Sequence, residues 1–370
     1  MTRKLHTPRS LCTLLCALFL FSHKPGVVLN SELFHKKEIH NACIIGGVRH
    51  IQTANYGQPL GNRIAILGQE LLIVLSCGNY RVINTYSFRD KDGRTISFGL
   101  NPSLVDIHRD GSFQIMKGGG GYGEVGLLDD KGNTLWSFQP DSRLPPFRMI
   151  SGDLDGDNRI EFYVADRTGL YKLDHHGNIA GKISKAWISD IKIISDSRLP
   201  CPILIALTRH GEFMIFNADG RLLRQFTPGY EVRRFDIVNW PDSPNILVGE
   251  GFFSWNVHVL DLNGKDLFRY KLSTSWSYYG PQGLAVRFNK ENEPYLVVLG
   301  HAKAPSYLTQ LNIFSPSGAL VYQEILHRTQ GLCSSACANS DTEKLIIGNG
   351  NSKILEYSMP EYSTLPVDKL

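Results

Sequence analysis

The sequence predicts a seven-bladed β-propeller built from four-stranded antiparallel blades. Three observations predict this fold. A strand–turn–strand unit recurs with a period of about 44 residues, the turn of each unit ends in glycine, and no long stretch after residue 22 shows helical periodicity. The chain has 370 residues, of which 42% are hydrophobic and 20% charged, so it is long enough to form the core of such a ring.

The turns supply the most regular part of the repeat. An Asp or Asn that bonds back to its own backbone and a glycine that supplies a positive φ are typical of tight turns between strands. The glycines that end the turns are Gly93, Gly132, Gly177, Gly220, Gly264 and Gly318. Successive glycines are 39, 45, 43, 44 and 54 residues apart, which fits one blade per turn.

Two further apolar strands precede most turns, which gives four strands per unit. The final unit shows only three, ending at residues 353–357. Because a ring must close without an exposed strand edge, we expect a strand from about residues 30–50 to complete the last blade, with residues 31–34 and 42–45 as candidates. The first unit, residues 58–100, is the least regular, so six or eight blades remain alternatives. A pair of sandwiched sheets would not explain the period.

The N-terminus differs in kind from the rest. Arg3, Lys4 and Arg9 precede an apolar run over residues 11–21, a pattern typical of secretory signals. The run is shorter than the ~20 residues that cross a bilayer. We therefore predict a signal peptide or signal anchor over residues 1–25, one propeller domain over residues 26–360 and a tail over residues 361–370. A buried helix is the alternative for the first segment. The expected location is secreted or periplasmic, with membrane attachment only through this segment.

Charge and cysteine content bound the function further. The formal net charge is only +4, and no basic cluster stands out in the body of the chain, which argues against a nucleic-acid partner. Five cysteines follow the N-terminal segment: Cys43, Cys77, Cys201, Cys333 and Cys337. Their number is odd, so at least one thiol is free or pairs between chains. Export would permit a disulfide, but buried free thiols are the simpler expectation.

One loop carries a pattern suited to metal binding. Residues 152–162 place acidic side chains at alternating positions, Asp153, Asp155 and Asp157, followed by Glu161, and leave the carbonyl of Arg159 at loop position seven. Ca²⁺ takes six to eight oxygen ligands, and alternate residues of a tight loop aim their carboxylates inward. The loop is not an EF-hand, because no helices flank it. An acidic turn without an ion is the alternative.

This segment resembles the FG-GAP/VCBS repeat found in integrin α-chain propellers and in many exported bacterial propellers. The resemblance implies that the loop between the first two strands of a blade binds Ca²⁺ through the four carboxylates and the Arg159 carbonyl. By its repeat the resemblance covers roughly residues 58–357, but only one blade has a complete loop. The second unit has a degenerate counterpart of this loop with Asp106 and Asp110, which is the candidate for a second metal site. The implied role of the ion is structural, so its removal should lower the melting temperature.

Three loops are unusually aromatic, and they give the sequence its only indication of a ligand surface. They span residues 251–256, 274–281 and 301–307. Exposed on a propeller face, Trp255, Trp276, Tyr278 and Tyr279 would form a stacking platform for a sugar ring or a protein. The alternative is that they plug the central channel. Trp136 is expected to pack between blades.

These features favour a non-enzymatic binding module, monomeric and exported, that presents loops to a protein or glycan partner. No local catalytic motif occurs, although a propeller active site would be assembled from distant loops. The alternative is a polysaccharide lyase or hydrolase with its site in the central channel, and a third option is a structural module of an envelope assembly. Polar and charged groups converging at the axis would favour the enzyme, whereas a flat aromatic face would favour binding.

Overall fold

A computed structural model of the chain describes most of the residues after the N-terminal segment. The described residues are 34–41, 50–55, 62–68, 71–76, 79–87, 103–108, 110, 112–117, 124–140, 148–251, 256–272, 282–289, 293–301, 308–327, 329–335, 343–349 and 353–359. They form 28 β-strands in seven four-stranded antiparallel sheets, arranged as the blades of a ring. The predicted seven-bladed propeller is therefore confirmed.

The first four blades follow each other along the chain. The first contains β2 (His50–Asn55), β3 (Asn62–Leu67), β4 (Leu71–Ser76) and β5 (Val82–Ser87). The second contains β6 (Ser103–Val105), β7 (Gln114–Lys117), β8 (Val125–Leu128) and β9 (Thr134–Phe138). The third contains β10 (Arg148–Gly152), β11 (Glu161–Ala165), β12 (Leu170–Leu173) and β13 (Ile179–Ser184). The fourth contains β14 (Ile188–Ile194), β15 (Ile203–Thr208), β16 (Phe213–Phe216) and β17 (Leu222–Phe226).

The remaining three blades complete the ring. The fifth contains β18 (Phe235–Asn239), β19 (Pro244–Gly249), β20 (Asn256–Leu260) and β21 (Asp266–Lys271). The sixth contains β22 (Gln282–Val286), β23 (Tyr295–His301), β24 (Leu308–Phe314) and β25 (Leu320–His327). The seventh joins β26 (Thr329–Ser335), β27 (Lys344–Asn349) and β28 (Lys353–Ser358) to the N-terminal strand β1 (His35–Asn41).

The ring is closed by the pairing of the two ends of the propeller. Strand β1 lies antiparallel to β28, with His35 opposite Ser358 and Asn41 opposite Lys353. The closing strand falls between the two candidate segments, residues 31–34 and 42–45, of which only Phe34 lies in the described part of the chain. An apolar pattern did not reveal it because this strand is outermost and mostly exposed.

Burial follows the position of a strand within its blade. The second strands of the third and fourth blades, β11 and β15, are buried along their whole length, since a neighbouring blade covers each face. The outermost strands β9, β13, β17 and β21 are largely exposed. Hydrophobic periodicity therefore identifies the inner strands, and turn chemistry must locate the outer ones.

Five of the six predicted glycine turns join the third and fourth strands of a blade. Their glycines have positive φ angles: Gly132 (87°), Gly177 (81°), Gly220 (75°), Gly264 (85°) and Gly318 (86°). In the second blade the amide of Lys131 donates to Oδ1 of Asp129 at 2.9 Å, which is the predicted side-chain bond back to the turn backbone.

The assignment of the sixth turn, at Gly93, to the same position was wrong. Residues 85–87 belong to β5, the outermost strand of the first blade, and Gly93 lies beyond it, outside the described residues. The turn between the third and fourth strands of this blade is at residues 77–81. Here Tyr80 adopts the positive φ of 56°. The first blade consequently starts at residue 50 rather than 58.

Adjacent blades pack through aromatic side chains placed under the glycine turns. A Cβ atom on Gly177 would lie 2.6 Å from the indole of Trp136, which belongs to the preceding blade, so this glycine is required for space as well as for φ. Gly264 has the same relationship with Phe226. The indole of Trp136 also meets the ring of Phe162 edge-on, with centroids 4.8 Å apart, in agreement with its expected place between blades.

The last blade is tied to both neighbours by carboxylates. Glu356 on β28 accepts a hydrogen bond from the hydroxyl of Tyr80 in the first blade. Glu324 in the sixth blade accepts hydrogen bonds from Tyr357 of the last blade at 2.8 Å and from its own neighbour Tyr322 at 2.9 Å. Lys36 of the closing strand forms an ion pair with the same Glu324. These bonds fasten β1 and β28 to the neighbouring blades.

Two further expectations concern the N-terminal segment and the cysteines. The predicted signal over residues 1–25 lies outside them, and within them no helix has the length and apolar character that a bilayer crossing requires. Cys201 is a free thiol but is exposed, since it lies in the turn between β14 and β15. Its predicted burial was therefore wrong.

Candidate functional site

The acidic loop lies between β10 and β11, the first two strands of the third blade. The carboxylate of Asp153 accepts the amides of Gly156 at 2.7 Å and Asn158 at 3.1 Å, and Asp157 accepts that of Arg159 at 2.7 Å. Gly156 and Asn158 have φ angles of +78° and 69°. These bonds curl the loop around its own carboxylates.

Three of the four predicted carboxylate ligands converge, and the carbonyl of Arg159 stays a prediction. Asp153, Asp155 and Glu161 each place a carboxylate oxygen within 4.8 Å of the other two. Oxygens bound to one Ca²⁺ at ~2.3–2.6 Å lie at most ~5 Å apart, so the spacing suits a single ion. Asp157 is not part of this group, and its carboxylate accepts the amide of Arg159 at 2.7 Å.

A lysine that the sequence did not indicate reaches the same carboxylates. The Nζ of Lys172, on β12, lies 3.0 Å from Oε1 of Glu161 and 3.2 Å from Oδ2 of Asp155. Lys172 is eleven positions beyond Glu161, on the strand that pairs with β11, so no local motif links the two residues. The donor set therefore fits one Ca²⁺ only if this ammonium group leaves the two carboxylates.

The charges of the cluster are distributed unequally. Burial raises the pKa of Glu161, and a hydrogen bond shared with Asp155 adds to the rise. The same bond, together with one from Lys172, lowers the pKa of Asp155. Glu161 also accepts the amide of Leu154 at 3.0 Å. The buried glutamate is thus the group most dependent on a neighbouring positive charge.

The degenerate loop of the second blade is held by hydrogen bonds between its own residues. The amide of Asp110 donates to Asp106 at 3.3 Å, and the amide of Ser112 donates to Asp110 at 2.8 Å. Gln114 accepts the amide of Ile107 at 3.0 Å. Hydrogen bonds from Ser112 lower the pKa of the Asp110 carboxyl. Among the described residues, Asp106 and Asp110 do not join a third potential ligand to form a metal-binding group.

Charged side chains of the innermost strands pair between blades. Arg148 of the third blade donates to Asp190 of the fourth at 3.0 Å, and Lys192 of the fourth donates to Asp236 of the fifth at 2.7 Å. Asp190 is only 2% exposed. Both aspartates lie within strands, β14 and β18, and not in a loop like that of the third blade. In the described inner strands, these groups stabilise the ring as ion pairs.

The residues predicted to form an aromatic platform lie outside the described residues. Trp255, Trp276, Tyr278 and Tyr279 all fall in the gaps around β20 to β22, and the structure says nothing of their placement. Their role stays a prediction from the sequence.

Comparison with known proteins establishes the fold and nothing finer. No family model and no curated protein matches the chain. Among solved structures, BBS1N in its crystal structure with ARL6DN has a TM-score of 0.60 at 12% identity, covering 93% of this chain and 100% of that one. The Pan2 WD40 domain of Neurospora crassa has a TM-score of 0.55 at 14% identity, covering 91% and 98%. A chain of the mitotic checkpoint complex has a TM-score of 0.54 at 12% identity, covering 97% and 98%. At these identities the chain is similar to them in architecture alone.

Proposed function

We propose that the chain is an exported protein-binding propeller, stabilised at one blade by Ca²⁺. The observation that carries the binding role is the pairing of Arg148 with Asp190 and of Lys192 with Asp236 along the inner strands. In the described inner strands, these four charged side chains form ion pairs between blades. The loops at the two ends of the ring remain as the surfaces available to a partner.

The structural neighbours support a protein partner in kind. One is a propeller crystallised with a second protein, ARL6DN, and another is a chain of a multiprotein checkpoint complex. Propellers commonly serve as interaction modules, because a rigid ring holds many loops in fixed positions. A glycan partner rests on the aromatic loops of the sequence alone.

The proposed Ca²⁺ is a clamp between the first two strands of the third blade. Asp153, Asp155 and Glu161 would hold it, and the ion would supply positive charge to the buried Glu161 in place of Lys172. Export brings the loop into compartments where calcium is plentiful enough for a weak site of the extracellular class. The basic and apolar pattern of residues 1–21 supports export.

The binding role is tested by cross-linking the full chain in a native extract of its source and identifying cross-linked residues by mass spectrometry. We expect saturable capture of a protein, with cross-links confined to loops at one end of the ring. Cross-links scattered over the outer strands, or capture that does not saturate, would contradict a binding module. Turnover of a polysaccharide panel by the purified chain, without saturable capture of a protein, would instead establish the enzyme alternative.

A further inference from the structure

One end of the third and fourth blades gathers cationic and aromatic side chains from three loops. In an antiparallel blade the second and fourth strands run in the same direction, so the turn after the second strand and the linker after the fourth lie at one end. Residues 166–169, 185–187 and 209–212 are such segments. Backbone hydrogen bonds join them: Arg209 N donates to the carbonyl of Trp187 at 2.8 Å, and Ile188 N to that of Asp166 at 3.1 Å.

Two guanidinium groups share the indole of Trp187. The Cζ atoms of Arg167 and Arg209 lie 5.1 Å and 5.9 Å from the ring centroid, within the ~6 Å range of cation–π attraction. Both arginines are exposed, whereas Trp187 is half-buried. The indole therefore holds two charged side chains at the surface from loops more than forty residues apart along the chain.

The exposed charge of these loops is cationic. Arg167, Lys185 and Arg209 are all exposed. The same loops contain two carboxylates. Asp166 is only 1% exposed, and its Oδ1 accepts the amides of Thr168 and Gly169 in its own turn. Glu212 is half-buried and accepts a hydrogen bond from the side chain of Gln225. The surface formed by Arg167, Lys185, Trp187 and Arg209, here called the cationic patch, consequently presents positive charge to solvent.

We infer that the cationic patch binds an extended acidic segment of a protein partner. This inference rests on the proposed function as a protein-binding propeller and names the chemistry of the partner. Alternate side chains of an extended chain are ~6.8 Å apart, so two acidic residues separated by one position can each meet a guanidinium held over the shared indole. Arginine and carboxylate form paired, charge-assisted hydrogen bonds that lysine or a hydroxyl cannot match.

The same geometry disfavours a sugar as the occupant. Stacking of a sugar ring needs an open aromatic face, and the indole of Trp187 already lies beneath the guanidinium groups of Arg167 and Arg209. A carboxylate-rich peptide needs only the outer N–H groups of the arginines. A carboxylate binds in the plane of a guanidinium, where its N–H donors lie, and therefore does not compete with the ring for the face of the arginine.

The probe is a fluorescein-labelled twelve-residue peptide of alternating Glu and Ala, titrated with the full chain by fluorescence polarisation at ~0.1 M salt, where long-range attraction is screened. We expect saturable binding that Arg167→Glu with Arg209→Glu weakens by about tenfold or more. Arg167→Gln with Arg209→Gln should weaken it less but clearly. The matched control is Arg221→Glu with Lys265→Glu, the same charge change in exposed turns at the opposite end of the blades. We expect this control to change the Kd less than about twofold, with all variants melting like the parent.

Three results would overturn the inference: no saturable binding, equal weakening by both charge-reversed pairs, or tighter binding of a heparin fragment or an oligouronate than of the peptide. The last would assign the patch to a non-protein polyanion. If a partner captured by cross-linking is retained by Arg167→Glu with Arg209→Glu, the propeller binds protein through another surface. In that case the proposed function stands and the cationic patch is excluded as its site.

Discussion

The Nζ of Lys172 lies 3.0 Å from the carboxylate of Glu161, inside the group of oxygens that the acidic pattern assigns to a metal ion. A lysine in this place has two consequences. It supplies the positive charge that keeps Asp155 and Glu161 together, so the loop does not depend on a cation for its shape. It also competes with Ca²⁺, because the ammonium group and the ion would bind the same carboxylate oxygens.

The competition predicts opposite effects of Lys172→Met with and without calcium. In chelator the variant should unfold at a lower temperature than the parent. Its free energy of unfolding should be lower by ~1–3 kcal/mol, because the buried carboxylate charge loses its partner. In excess Ca²⁺ the variant should regain this stability and show a larger calcium-dependent rise in melting temperature than the parent. Differential scanning calorimetry with chelator and with millimolar Ca²⁺ measures both.

Lys131→Met, at an exposed turn of the neighbouring blade, is the control and should melt like the parent in both buffers. If neither the parent nor Lys172→Met responds to Ca²⁺, the calcium proposal is wrong and the lysine is the permanent counter-ion of the loop. The protein-binding role would be unaffected by that result.

Closure of the ring yields a second prediction, on Glu324→Ala. The carboxylate of Glu324 accepts hydrogen bonds from Tyr322 and from Tyr357, which is fully buried, and pairs with Lys36 of the closing strand. Its removal leaves a buried hydroxyl without an acceptor, so we expect a loss of ~2–3 kcal/mol in the free energy of unfolding by urea.

Glu38→Ala provides the comparison for this closure. Glu38 lies on the closing strand itself and pairs with Lys353 of β28 at 2.8 Å. Both side chains are about two-fifths exposed, at 39% for Glu38 and 43% for Lys353. Exposed pairs contribute ~0–1 kcal/mol, so its loss should be small. Equal losses for Glu38→Ala and Glu324→Ala would show that the buried tyrosine network does not fasten the ends.

How much of this could be read from the sequence depends on how local each feature is. The turn at Gly132 and the fully buried strand β11 are visible because their signals span a few residues. Strand β1 was misplaced within its window, since an outermost strand carries no apolar alternation. Lys172 and the pairing of Arg167 with Trp187 come from separate strands and loops, so only the folded ring brings them together.

A third prediction separates the two reasons for glycine in the turns. Gly177→Ala should cost ~2–4 kcal/mol, because alanine is strained at φ 81° and its Cβ would overlap the indole of Trp136. Gly156→Ala has a similar φ of 78° but nothing within 4 Å, so it should cost only ~1 kcal/mol. Gly181→Ala has no positive φ and equally open space, and should stay within ~0.5 kcal/mol of the parent. Urea unfolding of the three variants gives the ranking, and a cost for Gly177→Ala no larger than that for Gly156→Ala would exclude the overlap with Trp136.

The last prediction concerns acid stability at the turn between β14 and β15. Hydrogen bonds from the side chain and backbone of Arg198 lower the pKa of Asp196 to about 2, from an ordinary value near ~4. A lowered folded-state pKa means that the unfolded chain binds the proton more readily. The contribution of this carboxylate to the free energy of unfolding is therefore complete above pH ~4 and is lost as the pH falls towards ~2.

The free energy of unfolding of the parent should exceed that of Asp196→Asn at neutral pH, and the two values should converge across this window. Asp130→Asn, an exposed turn position, should run parallel to the parent. A constant difference between parent and Asp196→Asn from pH 7 to pH 2 would show that Asp196 acts through its shape and not through its charge.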